Sequence, residues 1–554
     1  MLLRSVRLGL ALVVVTLVTL APSAVASSGA IWKFRPTINA PWAQGEDVQP
    51  LDSPIAAAGL CRSSQFNTVN PYAATSNVDV IVDDAVNNSG FSNFGCRTPQ
   101  NETTVAVNPT NSDNLIAAAN DYRVCCDFTA LNDATGGAYA SVDGGAHWVN
   151  AIVPGLTAET GGQGQFKRVD AAGDPAMAFG QDGTAYYANL VFSRVSPASG
   201  IAVSVSHDGG VTWGQPNMVA YNEGVALNDK EWITAGADGK VVVTWTRFNL
   251  GPHQAGYRES PIVMAFSKDG GKTWNRQGSP VSDRGHPFDQ GSMPQYAPDG
   301  TLYVAYEGAS PASGYTQDAT VIARSTDDGQ TFTNTEVGRV YDDFDCYPTF
   351  GGSQTLTGEH FRLNSYPAFS IDPTNGHLAI AWADDRGAGN CGTGAASFVG
   401  TTIAKLVLVS SMNGTTFSAP QVISAGDVVF PGVAANNGKI AVSYYTRAYT
   451  HDPTLCNLVT GTGSATEGVP SPIDVCLDYA ARTSSDGYAT ETRLTTEGSN
   501  PYIEFANGSF IGDYSQIAFG SNGKAHPVWT DFRGNPNSGG TRANQDVYTT
   551  IYTP

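Results

Sequence analysis

The octapeptide Ser267-Lys268-Asp269-Gly270-Gly271-Lys272-Thr273-Trp274 recurs along the chain, and a turn repeated at intervals constrains the possible folds more than any other feature of this sequence. Residues 206–213 (SHDGGVTW) are nearly identical to it, and residues 141–148 (SVDGGAHW) keep Ser, Asp, Gly and Trp at the same offsets. Residues 325–332 (STDDGQTF) end in phenylalanine instead. Two further copies are worn: 411–417 (SMNGTTF) is shorter, and 484–490 (SSDGYAT) has lost its second glycine and its aromatic. The short acid is suited to accept hydrogen bonds from nearby backbone N–H groups, glycine supplies positive φ, and the aromatic folds back as a plug. Each copy follows a β-rich segment, such as 201–205 (IAVSV) or 262–266 (IVMAF), so each turn belongs between two strands.

Aligned on these turns, the chain divides into larger units of strand, tight turn, strand, loop, strand and Ser-x-Asp turn. They start near Glu102, Asp174, Asp229, Ser292, Ser365, Pro431 and Asp513, with first turns at places such as Asp182-Gly183, Asp238-Gly239 and Asn437-Gly438. The units run to roughly 40–80 residues, the range of propeller blades. The fold expected is therefore all-β: a β-propeller of four-stranded antiparallel blades, seven by count, or six if one unit is displaced from the ring. The seventh unit supplies only three strands before Pro554, and residues 76–83 (SNVDVIVD) are expected to provide the fourth, closing the ring and covering a free edge. Abundant glycine (61) and proline (31), few charged residues (14%) and the absence of long helical periodicity agree with a turn-rich β protein.

Arg4 and Arg7, the apolar run 8–20 and Ala24-Val25-Ala26 form a secretory signal, with cleavage expected after Ala26. The run is shorter than the ~20 residues a spanning helix needs. Residues 27–98 then read as an N-terminal arm ending in the ring-closing strand, and 99–554 as the propeller. Eight cysteines with no C-x-x-C spacing suit disulfides in an oxidising compartment rather than zinc or thioredoxin chemistry. Cys346–Cys391 and Cys456–Cys476 are the pairs expected, because each would clip a long insertion. Thirty basic against fifty acidic residues give a net charge of −20, which repels polyanions and argues against nucleic acid or an anionic membrane as partner. A secreted monomer is expected. The eight histidines are scattered and no H-E-x-x-H occurs, so no metal site is assigned. The acidic run Asp342-Asp343-Phe344-Asp345 has two readings, a structural Ca²⁺ site or a solvated loop, and no other cofactor is expected. Gly387, Gly389 and Gly392 satisfy G-x-G-x-x-G, but no helix pattern follows them, so they are read as a loop.

The repeated turn resembles the Asp-box (S-x-D-x-G-x-T-W) of sialidases and related β-propellers. In that family the box lies on the face away from the substrate, so it implies the fold and not the chemistry. Family members have six blades; seven units are a departure. On the opposite face the blade geometry gathers the starts of first strands (Glu102, Asp174, Asp229, Glu231, Tyr366, Asp513, Tyr514) and the ends of second strands, six of which finish near an arginine. Three of these ends read D-x-R: Asp121 with Arg123, Asp384 with Arg386, and Asp531 with Arg533. Either each aspartate pairs with the arginine two residues on and ties down the loops, or the arginines form an anion pocket, since guanidinium grips a carboxylate bidentately.

Sialidases hold a substrate carboxylate with three arginines, attack with a tyrosine polarised by a glutamate, and protonate with an aspartate. Carried over, that pattern implies Tyr514 as nucleophile, Glu307 as its polariser and Asp174 as acid/base. Arg123, Arg386 and Arg447 would grip the carboxylate, with Arg247 and Arg533 as further binding candidates. The family's Phe-Arg-Ile-Pro motif is missing; Lys33-Phe34-Arg35-Pro36 lacks its apolar residue and stands far before Glu102. The resemblance implies a secreted, exo-acting glycoside hydrolase on terminal acidic sugars, with a glycan or glycoconjugate as partner. A non-catalytic glycan- or protein-binding propeller and a lyase on uronic-acid polymers are the alternatives. Trp245, Trp382 and Trp529 occupy matching second-strand positions and are read as packing residues.

Overall fold

The computed structural model describes residues 77–81, 99–122, 134–194, 196–251, 257–343, 345–350, 353–393, 398–458, 473–501, 510–533 and 545–554. They form seven four-stranded antiparallel blades, and almost no residue is helical. Blade 1 comprises Gln100–Val107, Leu115–Asp121, Thr135–Ser141 and Val149–Ile152. Blade 2 runs through Ala171–Phe179, Ala185–Phe192, Ala198–Ser206 and Asn217–Glu223. In blade 3 the strands are Ala226–Ala235, Val241–Leu250, Ile262–Ser267 and Asn275–Pro280, with Tyr257–Glu259 added beside the second. Blades 4, 5 and 6 begin at Asp289–Tyr296, Ala368–Ile371 and Val428–Asn436. Their second strands are Leu302–Ala309, Leu378–Asp384 and Lys439–Thr446.

Blade 7 has only Gln516–Phe519, Ala525–Asp531 and Asp546–Thr549 from the C-terminal end of the chain. Val78–Asp79 is its fourth strand, with Val78 opposite Thr549 and Asp79 opposite Tyr548. The expected closure thus occurs. Val80 and Ile81 continue from this strand into a buried cluster with Val105, Leu115 and Trp148 of blade 1 and Val528 and Val547 of blade 7. First strands of successive blades touch one another all the way round, blade 7 meeting blade 1, so these strands line the axis.

The recurring Ser-x-Asp turns explain how neighbouring blades lock. In the second copy Gly210 N–H donates to Ser206 Oγ at 3.0 Å, while Asp208 accepts from Thr212 N and Thr212 Oγ1 at 2.9 and 2.5 Å. The same bonds recur around Asp269 and Asp327. Even the worn copy keeps Asp486 accepting from Thr490 N at 2.9 Å. Glycine is required here for space as well as for φ. A Cβ on Gly210 (φ 91) would stand 2.3 Å from Ile116 Cγ2 in blade 1, because each turn seats against the blade before it. Trp148 closes its own turn by donating from Nε1 to Gly145 O at 3.1 Å and is fully buried.

Both expected disulfides among the described cysteines, Cys346–Cys391 and Cys456–Cys476, are present. Cys61, Cys96, Cys125 and Cys126 lie outside the described residues, as do the signal, the arm up to residue 76, Arg35 and Arg123. No described helix is long and apolar enough to cross a membrane.

Candidate functional site

A shared irregularity in the axial strands builds the centre of the ring. Pairing between first and second strands slips at Asn101/Thr104, Gly173/Ala176, Asp229/Trp232, Gln290/Met293 and Val429/Gly432. At each slip one residue takes a left-handed backbone: Glu102 (φ 57), Asp174 (φ 54), Lys230 (φ 49), Gly291 (φ 66) and Phe430 (φ 50). Such bulges re-aim a side chain, and for a non-glycine residue the conformation costs about 1–2 kcal/mol. Four side chains bear that cost at equivalent places.

Three of these converge. Lys230 Nζ lies 2.9 Å from Glu102 Oε1, 3.3 Å from Asp174 Oδ2 and 2.9 Å from Asp513 Oδ2, with its side chain 3% exposed. Arg362, on the segment entering blade 5, clamps the same Asp513 through Nε and Nη2 at 2.9 and 2.5 Å. Asn120 Nδ2 donates to Glu102 Oε2, and its Oδ1 accepts from Asp174 N. Burial, followed by the nearby Asp174, holds the Glu102 carboxyl well above the usual carboxylate range. Burial and Asp174 act the same way on Glu231, which is 1% exposed and accepts no hydrogen bond from any described side chain.

Beside this cluster opens a cavity of about 490 Å³, counting its mouth. Lys230, Glu231 and Asp513 form its polar wall, and Trp232, Tyr366, Phe430 and Tyr514 supply rings. It exists because blade 4 places Gly291 where blades 1–3 carry long side chains: a Cβ there would stand 2.4 Å from Tyr366 Cγ. Trp232 and Tyr514 pack edge to face, with centroids 5.3 Å apart.

The structure brings Asp174 and Tyr514 together at this centre. Tyr514 OH donates to Pro175 O at 3.0 Å, and burial, then Glu102 and Asp174, pushes the phenol well above its ordinary value. Glu307 belongs to another group. It lies on the second strand of blade 4, and one ligand atom each from Glu307, Asp318 and Asp342 fall within 4.8 Å of one another. Those three would offer a cation oxygen ligands; Asp342 is part of the acidic run noted above. The second group that mixes metal-ligating residues contains the disulfide-bonded Cys456 and Cys476, which have no thiolate to give.

Three of the second-strand arginines, Arg386, Arg447 and Arg533, meet a carboxylate of the protein. Arg386 binds Asp384 through Nε and Nη2, both at 2.7 Å, and Arg533 binds Asp531 in the same manner at 2.8 and 2.7 Å. Those aspartates also accept from the indoles of Trp382 and Trp529 at 2.8 and 2.9 Å, so Trp-x-Asp-x-Arg is a packing tie within one strand end. Arg447 pairs with Asp427, donates to Thr357 O at 2.7 Å and lies 3.6 Å from Glu359. The half-buried Arg247 reaches over Gly278, where a Cβ would stand 2.6 Å from its Nη1.

Sequence reading passed over Lys230 and Arg362. Aligning the axial strands residue by residue places Lys230 at the position of Glu102 and Asp174, and Asn228 to Trp232 are five successive buried residues where a regular strand alternates. Arg362 carries the weaker signal of a cation between apolar residues, Phe361 and Leu363, directly before a strand.

No protein-family model matches the chain, and no curated protein does. Among solved structures it is similar to a protein of unknown function from Dyadobacter fermentans at 12% identity, covering 69% of this chain and 94% of that one, with a TM-score of 0.41. A Hadza microbial sialidase (15% identity, 62% and 63% covered, TM-score 0.39) and Trypanosoma rangeli sialidase (13%, 68% and 57%, 0.39) are also similar. The match spans less than two thirds of either sialidase.

Proposed function

We propose that this chain is a secreted carbohydrate-active enzyme of the sialidase-like, Asp-box propeller class, and that it hydrolyses glycosidic bonds in the central cavity. One observation carries the reading: two carboxyl groups with opposed surroundings, Glu231 and Asp513, share a cavity walled by aromatic rings. Environments that drive two such groups apart assign acid and anion roles. The repeated turn, the seven units and the two disulfides support the class and the extracellular setting.

Glu231, whose carboxyl is pushed well above the usual carboxylate range by burial and by Asp174, gives its proton to the departing glycosidic oxygen as the bond to the anomeric carbon breaks. Asp513, clamped by Arg362 and Lys230, faces the positive charge that builds on the sugar ring. The Glu231 carboxylate then takes a proton from a water that adds to the anomeric carbon, restoring the acid and releasing both products. In this reading Asp174 sets the proton affinity of Glu231, and Tyr514 is a wall of the cavity. A nucleophilic Tyr514 would have to release Pro175 O and lose its proton among carboxylates.

The test is turnover of a panel of fluorogenic glycosides by the secreted protein. Glu231→Gln should lower kcat by about 10²–10⁴-fold while leaving the unfolding midpoint nearly unchanged. Glycan binding with no release by the parent protein would instead identify a non-catalytic binding propeller.

A further inference from the structure

We propose that the ligand of the central cavity is an uncharged sugar ring and not an acidic one, an inference that rests on the carbohydrate reading above. Recognition of a sugar carboxylate in a buried site calls for a guanidinium fork or an ammonium group whose charge is not already matched. At this face four arginine forks among the described residues are closed on the protein's own acids: Arg362 on Asp513, Arg386 on Asp384, Arg447 on Asp427 and Arg533 on Asp531. Arg362 and Asp513 show the pattern most clearly, because Asp513 sits on the cavity wall in the parallel two-bond geometry a ligand carboxylate would adopt. The protein therefore supplies its own anion where an acidic substrate would need to bind.

Lys230 does not change the balance. Its ammonium group already faces three carboxyl groups, so at and directly behind the cavity wall two cations, Lys230 and Arg362, meet the acids Glu102, Asp174 and Asp513. An arriving anion would meet no excess of positive charge, and it would have to displace Asp513 into a buried position without a partner. The net charge of −20 opposes its approach at longer range. The remaining lining favours a neutral ring: Trp232, Tyr366, Phe430 and Tyr514 offer flat or edge-on apolar surfaces to the C–H faces of a sugar.

The experiment uses the full secreted protein with methylumbelliferyl glucoside, galactoside and arabinofuranoside as neutral probes, and the sialoside and glucuronide as acidic ones. Release is read by fluorescence, and binding of the corresponding free sugars by saturation-transfer NMR. The expected result is binding and turnover confined to neutral sugars, with KM changing less than about twofold between low and roughly half-molar salt. Preferred binding or cleavage of the sialoside or glucuronide overturns the proposal, as does binding of neither class. Neutral sugars bound without release would leave the sugar class standing and remove the hydrolase reading, so the two failures are separable. Arg362→Gln provides a second measurement. With the fork committed to Asp513, this substitution leaves the neutral-over-acidic preference in place; an acidic-sugar signal present in the parent and lost in the variant would show that Arg362 grips the ligand.

Discussion

Replacing Ile81 with alanine tests the seam that closes the ring. Ile81 is fully buried just beyond the N-terminal strand, in a cluster that joins Val105, Leu115 and Trp148 of blade 1 to Val528 and Val547 of blade 7. Truncation removes three buried carbons, about 2.4 kcal/mol at ~0.8 kcal/mol each, and leaves a cavity that a sheet-packed site can only partly fill. The total should be roughly 3–4 kcal/mol, inside the usual range for such deletions. The backbone on either side is pinned by Val80 N donating to Val547 O and by Asn150 Nδ2 donating to Val80 O, both at 2.8 Å, which limits collapse into the gap. Urea unfolding followed by tryptophan fluorescence is the assay, with the buried Trp148 and Trp529 reporting from the two blades at the seam. Ile551→Ala, at a position 49% exposed in the C-terminal segment of the chain, is the control and should stay within about 0.5 kcal/mol of the parent. A loss below about 1 kcal/mol for Ile81→Ala would refute the closure, because it would mean that this strand does not hold blade 7 against blade 1 in solution.

Further outcomes follow from the same physical reading. Gly210→Ala should destabilise by more than about 2 kcal/mol in thermal or urea unfolding, since it combines a left-handed backbone with a Cβ 2.3 Å from Ile116 Cγ2; a midpoint equal to the parent's would show that the turn does not seat on blade 1. Burial pushes the Asp385 carboxyl up to about 8, aided by Asp427 and Asp384 against the bond it accepts from Ile403 N. A folded value above the unfolded one means that this group's contribution to stability is complete below about pH 4 and is lost as pH climbs through about 8. Asp385→Asn should therefore change stability little below about pH 4 and raise it by several kcal/mol near pH 9, and equal effects at both pH values would count against the burial argument. Gly291→Ala should close the cavity onto Tyr366 and abolish sugar binding measured by NMR, whereas Gly300→Ala, at a positive-φ turn with open space around it, should cost stability and leave binding intact.

The seven-unit ring was legible in the sequence because it is a property of local spacing. The Ser-x-Asp-x-Gly-x-Thr-Trp turn specifies its own hydrogen bonds within a few residues, so copies such as 206–213 and 267–274 mark a strand pair wherever they occur. The count of strands in the last unit then required one from elsewhere, and Val78–Asp79 supplies it. The disulfides Cys346–Cys391 and Cys456–Cys476 followed from the same repeat frame.

What tertiary structure alone decided is which charges meet. Sequence spacing placed Asp174, Glu307, Tyr514 and the second-strand arginines on one face, but a face of seven blades holds several separate clusters. Asp174 and Tyr514 meet at the axis, while Glu307 joins Asp318 and Asp342. Arg386 and Arg533 turn back on Asp384 and Asp531 because the chain bends directly after each strand, with Arg386 N and Arg533 N donating to Asp384 Oδ1 and Asp531 Oδ1, so that a fork and a carboxylate two residues apart pair without any help from another blade. Lys230 reaches Glu102 and Asp513 only because matching bulges in different axial strands aim distant parts of the chain at one point. Local chemistry writes the turns, and closure of the ring determines the neighbours across the axis.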